Sequence, residues 1–244
     1  MSKQELNTVK IVEFAKELYA DGQTATQISI FTHCINSAKL AENIAHRFFT
    51  DMRGDLVPQD VNDIIAAIVN SAVLSEVINT RRTHFETIAD VANVQIATMV
   101  STLSRDLRLV ETKRDMEYRG RLSQSSVATQ IVAVAAILCT AQEAITLLQQ
   151  KSIAGIPKIR KILAQLDADL LAAHATTRYY ILRLYSHAAR NLINDANQLI
   201  KKIRGDQKTA RLLEKHTANL TNKLADKEKE KKRGRKKASR ETTN

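Results

Sequence analysis

Apolar residues recur along this chain at helical spacing. Over residues 3–20, Leu6, Val9, Val12, Ala15 and Leu18 follow at three-residue steps and predict an amphipathic helix ending near Gly22. A second helical stretch reaches about Met52, with Ile35, Leu40, Ile44 and Phe48 on one face. Arg53 to Pro58 is the clearest break in the front half, and Pro58 suits the first turn of a helix, where its missing N–H costs little. Val61, Ile64, Ile65, Ile68, Val69 and Ala72 then predict an almost fully apolar helix deep in the core. Thr83-His84-Phe85-Glu86 has the spacing of a capping box, which predicts a helix starting there and running to about Ser104. A charge-rich stretch, Arg105 to Ser126, leads into Val127–Leu148, the most apolar helix of the chain. Its longest unbroken apolar run, Ile131 to Cys139, falls short of the roughly 18–20 residues of a membrane span and predicts a buried core helix.

Ile153 to Pro157 is the best boundary in the back half. Beyond it, Ile159, Leu163, Leu166 and Leu170 form a helical stripe, and a long helix from about Thr176 is expected to stop at Arg204-Gly205. The domain reading is a helical domain over 1–152, a helical extension packed on it over 153–205, a basic polar helix over 206–230 and a disordered basic tail over 231–244.

Composition agrees with an all-α protein. Six Gly and two Pro in 244 residues leave too few turns for an all-β or α/β fold. Cys34 and Cys139 have no CxxC spacing, which disfavours a disulfide framework or a structural zinc site. With no apolar signal region at the start, the expectation is a soluble protein of a reducing cytoplasm. Charge is divided: residues 1–150 carry −3 and residues 151–244 carry +14 of the net +11. Only the back half is suited to a polyanion.

Residues 10–150 contain segments whose order and spacing resemble the HD-type hydrolase domain of the RelA/SpoT alarmone family. Ile11-Val12-Glu13-Phe14-Ala15 is similar to its first helix, and Phe31-Thr32-His33 with Ala38-Lys39-Leu40-Ala41 to its His-Pro-x-x-x-Ala segment. Ala66 to Val73 falls where that family has Ala-Ala-Leu-Leu-His-Asp-x-Val. Phe85 to Ala92, Val100 to Ser104 and Glu111-Thr112-Lys113-Arg114 resemble later segments, and Ser125 to Leu138 resembles Ser-Pro-x-Ala-x-Leu-Val-Lys-Leu-Ala-Asp-x-Leu.

The resemblance implies a fold that holds one divalent metal with a first His, a His-Asp pair and a late Asp. Carried over residue by residue, the first His is His33, the pair is Asn70 and Ser71, and the late Asp is Ala136. The Glu-Asp pair that follows in the family becomes Leu74 and Ser75. Three of four ligands are missing, and a lone imidazole does not hold a catalytic metal. The expectation is a degenerate, non-hydrolytic HD fold with no metal and no cofactor. One enzyme alternative is a divergent metal-dependent phosphohydrolase rebuilt around His33 and Glu76; another alternative is a guanine-nucleotide sensor or structural interaction protein whose pocket binds ligand or protein without turnover. No P-loop, GxGxxG, GxSxG or HExxH pattern offers different chemistry.

The back half points to nucleic acid as partner. Lys201, Arg204, Lys208, Arg211 and Lys215 are spaced to share one helix face. Nine basic residues lie between Lys227 and Arg240, among them Lys231, Lys232, Arg233, Arg235, Lys236 and Lys237. Such a run releases counterions from phosphates and binds independently of sequence. Arg233-Gly234-Arg235 resembles the centre of an AT-hook, although Lys236 stands where that motif has Pro. The tail is also compatible with nucleoid or nuclear association.

Overall fold

The computed structural model describes residues 3–52, 58–79, 83–150, 156–174 and 179–241. All named elements among them are helices: α1 (Lys3–Tyr19), α2 (Ile30–Asp51), α3 (Pro58–Val73), α4 (Phe85–Val91), α5 (Val94–Leu103), α6 (Glu111–Ser123), α7 (Val127–Gln149), α8 (Ile156–His174) and α9 (Tyr180–Glu241). The chain separates into two compact units, Met1–Gln198 and Leu199–Asn244.

In the first unit α2 and α7 pack on each other, and α3 packs on both. Small residues allow this close approach: Ala38, Ala41 and Ala45 of α2 and Ala133, Ala135 and Ala141 of α7 are all buried. Ile44, Ile68 and Ile131 fill the space around them and are fully buried. α1 covers α3, α5 joins α3, and α8 rests on α6 and α7. α1 turns a different stripe inward from the one its spacing suggested. Ile11, Ala15 and Tyr19 are buried, four residues apart, while Val9 is exposed. A strict three-residue step drifts around a helix of 3.6 residues per turn, whereas the four-residue step holds one ridge.

The capping box at Thr83 does not form. His84 is the N-cap residue of α4, without a side-chain cap, and the Thr83 hydroxyl is buried without a partner. The helix expected to continue to Ser104 breaks at Ala92-Asn93, where the Asn93 side chain accepts from the Ile96 amide at 2.8 Å and starts α5. The charge-rich stretch after Ser104 contains a helix of its own, α6.

α7 is the one helix among the described residues long and apolar enough to cross a membrane, which corrects the estimate from its unbroken run alone. Its most apolar window is 72% buried within the bundle, the placement of a core helix. The proposed boundary around Ile153 falls on residues 151–155, outside the described residues. α9 passes through Gly205, where a stop was expected, and continues through 231–241, where disorder was expected. A single Gly costs about 1 kcal/mol inside a helix and does not end one flanked by Lys, Arg, Asp and Gln. Glu228 and Lys232 stand four apart, the order that supports a helix.

Candidate functional site

Three segments meet at His33. The first is the turn between α1 and α2, tied by Gln27 N–H to Thr24 O (3.0 Å), Thr24 N–H to Ile28 O (2.8 Å) and Ile30 N–H to Gly22 O (3.0 Å). Gln27 adopts φ of 67° at its tip. The turn carries Thr26 inward, where it is buried. Ser29 then caps α2, and His33 faces the bundle one turn further on. The third segment is α7, on which Cys139 and Glu143 stand four residues apart and therefore on one face.

His33 Nδ1 lies 2.8 Å from Glu143 Oε1, with both side chains almost entirely buried. The Thr26 hydroxyl donates to Glu143 Oε2 at 2.6 Å. The Cys139 thiol lies 3.4 Å from Glu143 Oε1 and 3.9 Å from the His33 carbonyl oxygen. Burial works against a charged imidazole, but the hydrogen bonds to Cys139 and Glu143 and the Glu143 charge outweigh it and hold His33 up at about 10. Burial likewise opposes the Glu143 carboxylate, yet His33, Thr26 and Cys139 bring it below its usual range. The pair is a buried ion pair with its carboxylate oxygens both engaged.

A cleft of about 300 Å³ opens beside His33, lined by Gln23, Thr24, Thr26, Glu76 and Thr140 among others. His33 and Glu76 thus share one cavity. The Glu76 carboxylate accepts from Asn79 Nδ2 at 2.8 Å, and its amide donates to the Tyr19 hydroxyl at 3.2 Å. Cys34, the sequence neighbour of His33, points elsewhere: its sulfur is 3.9 Å from Ser75 Oγ. Burial and the nearby Glu76 charge push the Cys34 thiol up to about 12, so it is inert at neutral pH.

Of the other positions expected to mark a site, Ser71 and Ser75 have their hydroxyls taken up by structural partners. The Ser71 hydroxyl is buried against the Met99 sulfur at 3.5 Å. Asn70 is buried with its carbonyl oxygen unpartnered. Ser75 Oγ donates to the Ala72 carbonyl at 2.9 Å, and Leu74 is fully buried. Ala136 has no donor, and its carbonyl accepts from Thr140 Oγ1 at 2.9 Å. An HD-type metal needs two carboxylates and two imidazoles converging on one ion. A thioether-bound hydroxyl, an amide and a methyl do not fit it.

A second ionic cluster joins α6 to α8. Asp169 of α8 is buried and accepts from Arg105 and, at 3.0 Å, from Arg119 Nε. Arg105 also binds Asp115 at 2.6 Å and stacks 4.1 Å from the centre of the Tyr118 ring. Burial raises the Asp169 carboxyl against the pull of both arginines. Nearby, Glu111 of the segment likened to the family's Glu-Arg-Lys-Arg pairs with Lys161 on the surface. These charges fasten helices together.

In the second unit, Lys201, Arg204, Lys208, Arg211 and Lys215 are all exposed on α9. At about 100° per residue they fall within about 80° of one another. Asp206, also exposed, falls on the opposite side of the helix beside the exposed Lys202, and Glu214 lies about 60° from Arg211. Lys231, Lys232, Arg233, Arg235, Lys236 and Lys237 belong to the same helix backbone; their side chains lie outside the described residues.

Thr26, Cys139 and Glu143 were not singled out as site residues from the sequence. One signal was available: Glu143 is the sole charged residue of α7, and a lone carboxylate in so apolar a helix needs a buried partner.

The fold is that of an HD-domain-like helical bundle. It is similar to the solved structure of a metazoan ortholog of SpoT that hydrolyses ppGpp, with a TM-score of 0.58 and 13% identity, covering 78% of this chain and 94% of that one. No protein-family model matches the chain. No curated protein matches it either.

Proposed function

We propose that this protein is a non-catalytic HD-fold binding protein whose basic C-terminal helix contacts nucleic acid. The observation that carries the first part is the state of the inherited ligand positions. His33 is held by Glu143, Ser71 is committed to Met99, and Ala136 has no donor atom. The cleft beside His33 adds to this, because its lining includes Glu76 and, among the described residues, neither Lys nor Arg. A polyphosphate nucleotide needs cations or an amide nest to offset its charge. The cleft is therefore poorly suited to guanosine tetraphosphate either as substrate or as a signal.

The second part is supported by the five exposed cations that share one face of α9. This is an electrostatic footprint for a phosphate backbone. The reading is tested by assaying the full chain for hydrolysis of guanosine tetraphosphate with added Mn²⁺, and for binding to duplex DNA and RNA across a salt series. No turnover and a steep salt dependence are expected. Mn²⁺-dependent turnover overturns the non-catalytic reading in favour of a site rebuilt around His33 and Glu76. Salt-independent or undetectable nucleic-acid binding overturns the other part.

A further inference from the structure

We propose that His33, Cys139 and Glu143 bind one zinc ion. Imidazole Nδ1, thiol Sγ and carboxylate oxygen all lie within 4.8 Å of one another, and all three residues are buried. The set differs from the metal site the fold implies. It shares His33 but takes its other donors from a single face of α7, at Cys139 and Glu143.

Donor chemistry selects the metal. A thiolate beside an imidazole excludes Mg²⁺, Ca²⁺ and Mn²⁺ as preferred occupants and suits zinc. Tetrahedral zinc, with bonds of roughly 2.0–2.3 Å, separates neighbouring donors by about 3.3–3.8 Å. Here Nδ1 to Oε1 is 2.8 Å, Sγ to Oε1 is 3.4 Å, and no two donor atoms are more than 4.8 Å apart. An ion therefore enters by donor movements of up to about 1 Å, within the reach of side-chain torsions. The charge also balances. His33 and Cys139 each release a proton to solvent as the ion enters, and the thiolate and the carboxylate then supply two negative charges to the divalent cation, so the buried site stays neutral.

Two further features belong to a metal site. Glu143 Oε2 is held by the Thr26 hydroxyl at 2.6 Å, which orients the carboxylate and leaves Oε1 toward His33 and Cys139. His33 and Thr26 line one cleft and Cys139 and Glu143 line another, so solvent approaches the three donors from two clefts. The ion would fasten α2, the Thr26 turn and α7 together, and nothing in the proposal requires turnover.

The test uses the full chain without a polyhistidine tag, stripped by chelator and titrated with zinc, then with cobalt. One equivalent of zinc is expected, and the cobalt form shows thiolate-to-metal charge-transfer absorption. C139S abolishes that absorption and C34S retains it; E143Q weakens zinc binding by more than about 100-fold, since loss of an outer-sphere partner alone costs 10–100-fold. No bound zinc, or charge-transfer absorption that survives C139S, overturns the proposal. Because a buried substitution can unfold the bundle, a second readout uses the unaltered chain. Zinc protects Cys139 from alkylation in mild denaturant; equal labelling with and without zinc overturns the proposal as well. None of these outcomes depends on hydrolysis, so they are separable from the proposed function.

Discussion

Glu143 on α7 holds His33 on α2 across 2.8 Å, although 110 residues separate them in the chain. Both groups are buried, and each is the principal countercharge of the other. Removing one leaves a buried charge without compensation, which costs about 3–5 kcal/mol. Glu143→Ala in chelator-treated protein is expected to lose stability in that range, read as a fall in the urea midpoint. Glu143→Gln keeps the shape and a hydrogen-bond acceptor and is expected to lose less. Equal stability of Glu143→Ala and the parent would mean that the pair does not form.

The same pair sets a pH dependence in the metal-free protein. The folded pKa of His33 is raised from 6.5 to about 10, so between these values the folded chain keeps a proton that the unfolded chain has lost. Its stabilisation is complete below 6.5 and disappears as pH rises through about 10. Glu143 is lowered from 4.5, so its contribution is present above 4.5 and is lost as pH falls below that value. Urea unfolding in chelator is expected to show highest stability between roughly pH 4.5 and 6.5 from this pair. The alkaline decline should flatten in Glu143→Gln.

Asp169 is the hub between α6 and α8. Asp169→Ala leaves Arg105 and Arg119 facing an empty site, but both arginines retain some access to water. The expected loss is about 3 kcal/mol, the lower end for a broken buried pair. Thermal unfolding measures it. Asp169→Asn, which can still accept hydrogen bonds, should recover part of the loss.

Thr83 gives a test of opposite sign. Its hydroxyl is buried and unpartnered and does not cap α4. Replacing an unsatisfied buried hydroxyl with an apolar group of the same shape removes its desolvation penalty. Thr83→Val is expected to stabilise the protein by about 1 kcal/mol. A loss of about 1 kcal/mol on chemical denaturation would instead restore the capping role suggested by the sequence.

The face of α9 makes a prediction about salt. Lys201→Gln, Lys208→Gln and Arg211→Gln together should reduce the slope of log K against log salt by up to about 2.7 for duplex DNA, if each meets one phosphate. Deleting Lys227–Asn244 should flatten it further. Fluorescence anisotropy at several salt concentrations measures both. An unchanged slope in the triple variant would remove the stripe from the interface.

Much of the fold was legible because helices announce themselves locally. The apolar character of α3 and α7 placed both in the core, and Pro58 marked the start of α3. Helix ends were harder to read. Thr83 and Glu86 had the right spacing for a cap, yet Thr83 was drawn into the interior. Gly205 resembled a stop but lies among helix-forming neighbours. That Ser71 and Ala136 carry no carboxylate was also plain, since residue identity is a property of the chain alone.

The surroundings of His33 could not be read in the same way. Cys34 follows His33 directly in the chain, but neighbouring positions on a helix diverge by about 100°, and Cys34 turns toward Ser75. Cys139 and Glu143 reach His33 only because α2 packs against α7 and the turn after α1 folds Thr26 over the carboxylate. The sequence by itself determined the all-helical character and the division of charge, for these depend on composition and short-range periodicity. The tertiary structure decided that the remaining histidine has a buried acid and a thiol beside it. Packing brings together residues more than a hundred positions apart, and no local pattern records that distance.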